Sequence, residues 1–268
     1  MFRHKLTNFL SFHYNHLFGE WSFPPKMPHH TARKIITRNY EIEVTEAIQS
    51  ILQKKDVFID VGANIGYFSR QAAELVGGDG RVVSIEPGFQ NFTSLIKNTI
   101  HYPQVIPLLI AMDQESLLVD LNLSTHSSCH SLMSTENYLS KKSRTVPTLT
   151  LDFIWDKYLD RNPIKLIKID VEGAEIRVLE GAEDCLKNGA IQHIILEFCP
   201  EIMHSDEIDP MQYFNLLSEF FDLKVLGRDY KPQGGETYLN EKSFVNLTKR
   251  LLSIGNTANA NLIGFFKK

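Results

Sequence analysis

The chain has 268 residues, 43% of them hydrophobic, which is enough apolar content for one sizeable core with a small appendage. Its 28 basic and 32 acidic side chains leave a net charge of −4, so the bulk balance makes no case for a nucleic-acid binder, which needs clustered Lys and Arg. The three cysteines, Cys129, Cys185 and Cys199, are odd in number and lack C-x-x-C spacing, which argues against a disulfide scaffold or structural zinc and makes a reduced, cytoplasmic protein the simpler expectation.

Residues 1–35 read as an N-terminal extension with helical potential over 1–17. The stretch is aromatic and histidine-rich but has no apolar signal-peptide core, and no apolar run in the chain reaches the roughly 18 residues of a membrane span. A packing arm is the plain expectation; a homo-oligomer or membrane-surface contact through Phe9, Phe12, Tyr14 and Phe18 is the sharper one. Pro24, Pro25 and Pro28 make a rigid turn, and 42–52 has a helical apolar side of Ile42, Ala47, Ile48, Ile51 and Leu52.

From Val57 the pattern changes to strand, helix, strand, helix, strand. Val57, Phe58 and Ile59 form a buried-strand signal ending at Asp60, and 65–76 reads as a helix closed by Gly77 and Gly78. The stretch 81–85 is the next strand, 89–100 a helix, and 105–111 a third strand in which Pro107 signals a weakness or a bulge. This order requires parallel strands with right-handed crossovers. The stretch 113–147 reads as a loop-and-strand insertion, with a strand at 117–123 and a polar loop at 124–134 that contains His126 and His130 and has the composition of a lid. Beyond it, Thr150 caps a helix through 159, 164–169 is a strong strand ending at Asp170, 173–186 a helix, 191–198 a second strong strand and 210–220 a helix. The last strands are 221–226 and 262–266, and the region between them, with Pro232, Gly234 and Gly235, reads as a loop or hairpin.

The chemistry concentrates at strand ends. Gly62 permits an unusual backbone angle and room for a ligand, Gly66 permits close approach at a helix start, and the exposed amides there suit a polar or anionic group. Glu86 ends the next strand, 20 residues beyond Gly66, where a carboxylate can accept from both hydroxyls of an adenosine ribose. Asn64 stands where the dinucleotide fingerprint G-x-G-x-x-G requires its second glycine, so a nicotinamide oxidoreductase is disfavoured and a cofactor without a pyrophosphate, such as S-adenosylmethionine, is favoured. Asp60 would then lie near the methionyl portion. Asp170 and Glu172 follow an apolar strand and Glu197 lies inside one, which places three carboxylates on the ligand side of the sheet.

Two segments carry a family resemblance. One is Phe58-Ile59-Asp60-Val61-Gly62-Ala63-Asn64-Ile65-Gly66. The other is Ile167-Lys168-Ile169-Asp170-Val171-Glu172-Gly173-Ala174-Glu175, continued by Val178-Leu179-Glu180-Gly181-Ala182. With Ser84-Ile85-Glu86-Pro87 and Thr148-Leu149-Thr150-Leu151-Asp152, they resemble the FkbM-type S-adenosylmethionine-dependent methyltransferases over residues 40–268. The resemblance implies a three-layer, doubly wound Rossmann-like α/β fold over 36–268, with a seven-stranded sheet whose last strand is antiparallel. It implies methyl transfer, commonly to a hydroxyl of a sugar, glycolipid or natural product. It assigns Asp60, Gly62, Gly66 and Glu86 to the cofactor, puts Ala111, Met112 and Asp113 near adenine, and lines the acceptor side with Asp170, Glu172 and Glu197; Asn64 and Asp170 are also expected to touch the cofactor. Asp170 or Glu197 is the expected base, with His126 or His130 as rival, and a divalent cation held by Asp170, Glu172 and Glu197 is the alternative. The alternative from another class is a partner-binding protein of the same fold that has lost catalysis.

Overall fold

In the computed structural model, residues 21–25, 27–124, 139–205, 207–227, 238–255 and 258–267 are described. The helix at 1–17, its aromatic contact residues, the lid loop with His126 and His130, and the Pro232–Gly235 turn lie outside them.

Among the described residues two helices, α1 (His29–Ile36) and α2 (Ile42–Ile51), precede the first strand. Met27 and Ile35 are buried with Val44, Ala47 and Ile48 of α2, so the residues just before and within α1 belong to the core. β1 (Val57–Val61) leads through a glycine turn into α3 (Tyr67–Val76). The helix starts two residues later than the apolar pattern predicts because Gly66, at φ 83°, holds its N-cap in the left-handed region. β2 (Arg81–Ile85), α4 (Phe89–Thr99) and β3 (Val105–Leu108) follow. Pro107 makes no bulge: it stands in register opposite Ser84 on an edge strand, where a missing N–H is tolerated.

β4 (Ala111–Met112), β5 (Leu118–Ser124) and β6 (Leu139–Leu149) form a separate small sheet, in which β4 is parallel and β5 antiparallel to β6. Thr150 then caps α5 (Leu151–Lys157), its hydroxyl oxygen accepting from Phe153 N at 3.1 Å. β7 (Leu166–Ile169) is followed by two short helices, α6 (Glu175–Glu180) and α7 (Glu183–Lys187), where one continuous helix was expected. The break has a local cause. Gly181 packs against the Asp113 carbonyl, which would lie 2.3 Å from a Cβ, and the Asp152 carboxylate accepts from Asp184 N and Cys185 N at 2.9 and 2.8 Å, restarting the helix. β8 (His193–Phe198), α8 (Pro200–Ser205), α9 (Pro210–Phe220) and β9 (Phe221–Leu226) come next. The expected loop before the last strand contains a 14-residue helix, α10 (Glu241–Ile254), started by a reciprocal Asn240–Ser243 capping box; β10 (Ala260–Phe266) closes the chain.

The main sheet has seven strands in the order β3-β2-β1-β7-β8-β10-β9. β1, β2, β3, β7 and β8 are parallel, and β10, the last in sequence, runs antiparallel to both of its neighbours. Alternate residues of each strand enter opposite cores. Phe58, Val82, Leu166, Ile195 and Ile263 pack with α1, α2 and α3. Ile59, Val83, Ile167, Ile194 and Leu262 pack with α5, α6, α9 and α10 on the other face. This is the expected three-layer arrangement, and it brings the carboxyl ends of β1, β2, β7 and β8 to one rim. No helix among the described residues is long and apolar enough to cross a membrane.

Candidate active site

The rim opens into a cavity with two halves. Residues 61–65, Glu86, Ala111 and Met112 line one; Glu41, Lys168, Asp170, Glu172 and Glu197 line the other.

In the first half the turn after β1 is tied to the end of β2. Asn64, itself left-handed at φ 51°, donates its N–H to Glu86 Oε2 at 2.9 Å. Glu86 Oε1 accepts from Gly88 N at 2.7 Å and from Asn91 Nδ2 at 3.4 Å. Burial raises the Glu86 carboxyl to about 7 against the pull of those donors. Gly62, at φ 81°, lines the cavity, but its missing side chain serves packing rather than ligand space: a Cβ there would lie 1.8 Å from the Asp170 carbonyl oxygen. Gly66 stands outside the cavity lining, where a Cβ would meet Leu95 at 2.6 Å, the close approach expected of it.

Asp60 lies beneath the lining, fully buried. Its Oδ2 accepts from Ser69 Oγ at 2.6 Å, and Ser69 Oγ accepts in turn from Ser84 Oγ at 2.8 Å. Burial holds the Asp60 carboxyl above its ordinary range. Asp60 Oδ1 and Asn64 Oδ1 are buried with no partner among the described residues. Of the two, Asn64 lines the cavity with Glu86, and its unanswered acceptor fits a ligand rich in donors, as the ammonium and ribose hydroxyls of S-adenosylmethionine are.

Ala111 and Met112 line the cavity, and Asp113 does not. Both Asp113 oxygens face Arg177, with Nε 2.7 Å from Oδ1 and Nη2 2.6 Å from Oδ2, so this carboxylate fastens β4 to α6.

In the second half, the buried Lys168 ammonium bonds Asp170 Oδ2 at 2.7 Å and stands 4.9 Å from the Phe68 ring centre. Burial disfavours that charge, but Asp170, Glu41 and Asp60 together outweigh it and raise the lysine's pKa. Glu172 sits at φ 56°, and its carboxyl is raised to about 8 by burial first and then by Asp170 and Glu175. Glu175 accepts from Val171 N at 3.0 Å and Gly173 N at 3.2 Å, which holds the loop in shape, and burial raises it to about 7. Glu197 receives a hydrogen bond from Asn259 Nδ2 and is raised well above its usual range by burial and by Asp170. Asp170, Glu172 and Glu197 therefore share one cavity, as their strand-end positions implied. Among the described residues no three His, Cys, Asp or Glu side chains are grouped so as to hold a metal ion, and Asp170 bonds Lys168 instead.

Lys168, Glu41 and the Ser69–Ser84 pair were not singled out from the sequence. Lys168 carried a signal, since a lysine between Ile167 and Ile169 in an apolar strand poses the same question of a buried partner as Glu197 does. Glu41 carried none.

Residues 60–221, more than half of the chain, match the Methyltransferase FkbM domain. Hexuronic acid methyltransferase AglP of Haloferax volcanii is 28% identical over 180 residues, which cover 67% of this chain and 68% of that protein. Methyltransferase FkbM from Methylobacillus flagellatus KT aligns with a TM-score of 0.47 at 14% identity, over 94% of this chain and 58% of that one. A SAM-dependent O-methyltransferase from Thermotoga maritima aligns with a TM-score of 0.44 at 13% identity, over 85% of this chain and 66% of that one. The domain match sets aside both the nicotinamide oxidoreductase and the partner-binding scaffold. A glycine turn tied to Glu86 beside a carboxylate-rich wall, on a sheet of this order and within a chain that matches the domain, leads to one assignment: the protein belongs to the FkbM methyltransferase family and is an S-adenosylmethionine-dependent methyltransferase.

Proposed function

We propose that the enzyme methylates a hydroxyl oxygen of a sugar or sugar-bearing small molecule. The observation that carries this reading is the wall formed by Glu41, Asp170, Glu172 and Glu197 next to the cofactor half of the same cavity. Carboxylates accept hydrogen bonds in pairs, which suits a polyhydroxylated acceptor and gives its weakly acidic hydroxyl a base. The relative whose name specifies a hexuronic acid supports the same substrate class.

The bound cofactor supplies an electrophilic methyl group on a sulfonium. Asn64 and Glu86 would hold it, with Asp60 buried beneath them and Ala111 and Met112 beside the adenine. Asp170, fixed by Lys168, orients the acceptor hydroxyl, and positioning of this kind supplies much of the barrier reduction in a two-substrate reaction. Glu172 takes the hydroxyl proton onto its carboxylate; a carboxyl raised to about 8 is a far better proton acceptor than an ordinary one. Glu197, steadied by Asn259, closes the same wall.

The test is transfer of isotopically labelled methyl from S-adenosylmethionine to a panel of neutral glycosides and uronides, with the product oxygen located by NMR. Methyl ethers at ring hydroxyls are expected. Transfer only to nitrogen or to a carboxylate would overturn the reading.

A further inference from the structure

We propose that Glu41, which precedes the family-matched residues, binds the acceptor through a hydroxyl other than the reacting one and makes the pocket select an uncharged glycoside over a uronate. This rests on the hydroxyl-methylation reading above.

Glu41 lines the cavity with Tyr40, in the same half as Lys168, Asp170, Glu172 and Glu197. Its own helix does not account for it. It occupies the N-cap of α2 in a left-handed conformation, φ 39° and ψ 63°, yet its side chain makes no capping hydrogen bond. Glutamate is a poor residue for both tasks: Asn, Asp, Ser or Thr caps better, and Gly or Asn fits the backbone better. A local rule broken in two ways, beside a ligand cavity, is where function rather than folding selects the side chain. Lys168 and Asp170 are among the charges that act on the Glu41 carboxyl most strongly, so it belongs electrostatically to the acceptor wall.

That wall carries four carboxyl groups and one ammonium. Lys168, the one cation of the wall among the described residues, is bonded to Asp170. A uronate would crowd a further carboxylate against acids that already raise one another's pKa, whereas a neutral hydroxyl would find an acceptor.

The experiment uses the full chain, the variants Glu41→Gln and Glu41→Asn, and two acceptors: methyl β-glucopyranoside and methyl β-glucopyranosiduronate. Asparagine tolerates the left-handed backbone, which guards against a folding failure. The expected result is that KM for the neutral glycoside rises about tenfold while kcat stays within about threefold. The wild-type preference for the neutral acceptor narrows, and S-adenosylhomocysteine affinity stays within about twofold. Unchanged KM and unchanged acceptor preference in the folded variants would overturn the proposal and leave the methylation reading standing. A loss of S-adenosylhomocysteine affinity in step with KM would also overturn it, since Glu41 would then be only a counter-ion for Lys168. Wild-type protein that methylates neither acceptor, nor any of the wider glycoside panel, sinks the parent reading and this one together.

Discussion

Lys168 Nζ lies 2.7 Å from Asp170 Oδ2, a buried ammonium bonded to a carboxylate two residues further along the chain. The two residues stand two apart, at the end of β7 and just past it, so both side chains point to the same side and line the cavity. Lys168→Met is expected to cost about 3 kcal/mol in denaturant unfolding, because the carboxylates around it lose their cation. Adding Asp170→Asn to that variant should restore part of the loss, which a double-mutant cycle measures. Purely additive effects would show that the pair is not coupled.

Glu172, raised to about 8 by burial and by its carboxylate neighbours, is assigned the role of base. A base works unprotonated, so kcat/KM should climb with pH and level off above about 8. The limb reports the carboxylate cluster as a unit. Glu172→Gln should lower turnover by about 10²-fold and abolish the limb, with S-adenosylhomocysteine affinity preserved. Retention of the limb in Glu172→Gln would move the base to Asp170 or Glu197.

Glu86 and Glu175 each rise from 4.5 to about 7, mainly through burial. Between those values the folded chain holds protons that the unfolded chain has released. Their contribution is therefore fully present below about 4.5 and is lost as pH rises through 7. The cofactor-free protein should lose about 2 kcal/mol of unfolding free energy per group between pH 5 and 8. Glu86→Gln should flatten part of that slope in chemical denaturation; an unaltered slope would assign the dependence elsewhere.

Arg177 is the partner of the buried Asp113. Arg177→Met leaves that carboxylate without its cation and should destabilise the fold by about 2–3 kcal/mol. Neither residue lines the cofactor cavity, so S-adenosylhomocysteine affinity should change less than about threefold. A calorimetric titration showing a larger loss would return Asp113 to the cofactor site.

The sheet was legible because its strands are short apolar runs ending at Asp60, Glu86 and Asp170, and burial on both faces forces that pattern. The cofactor turn was legible for a similar reason, since Gly62 and Gly66 must stand where side chains will not fit. Other features depended on contacts between distant residues. The split between α6 and α7 arises because Asp113 presses on Gly181 and Asp152 caps Asp184, contacts across 30 residues or more that no local pattern reveals. α10 did carry local signs in Asn240, Ser243, Phe244, Leu247 and Leu251, but Pro232, Gly234 and Gly235 just before it drew the whole region toward a loop reading. Glu41 is invisible locally because its neighbours in space come from β7 and β8.

Asn98 joins two parts of the molecule that lie far apart in the chain. Its Nδ2 donates to Ser22 O at 3.0 Å and to Ile65 O at 2.8 Å, and its Oδ1 accepts from Ser22 N at 2.6 Å. The residues around Ser22 are thus fastened to the turn proposed above to hold the methyl donor, and thermodynamic reciprocity applies to such a strap. Whatever steadies the turn must steady the segment by an equal factor, and a segment pulled away must weaken the hold on the donor. S-adenosylhomocysteine should therefore slow proteolytic cleavage near Trp21, and Asn98→Ala should uncouple that protection while the sheet stays folded. Through this one amide, residues that come before the matched domain are joined to the turn that follows β1.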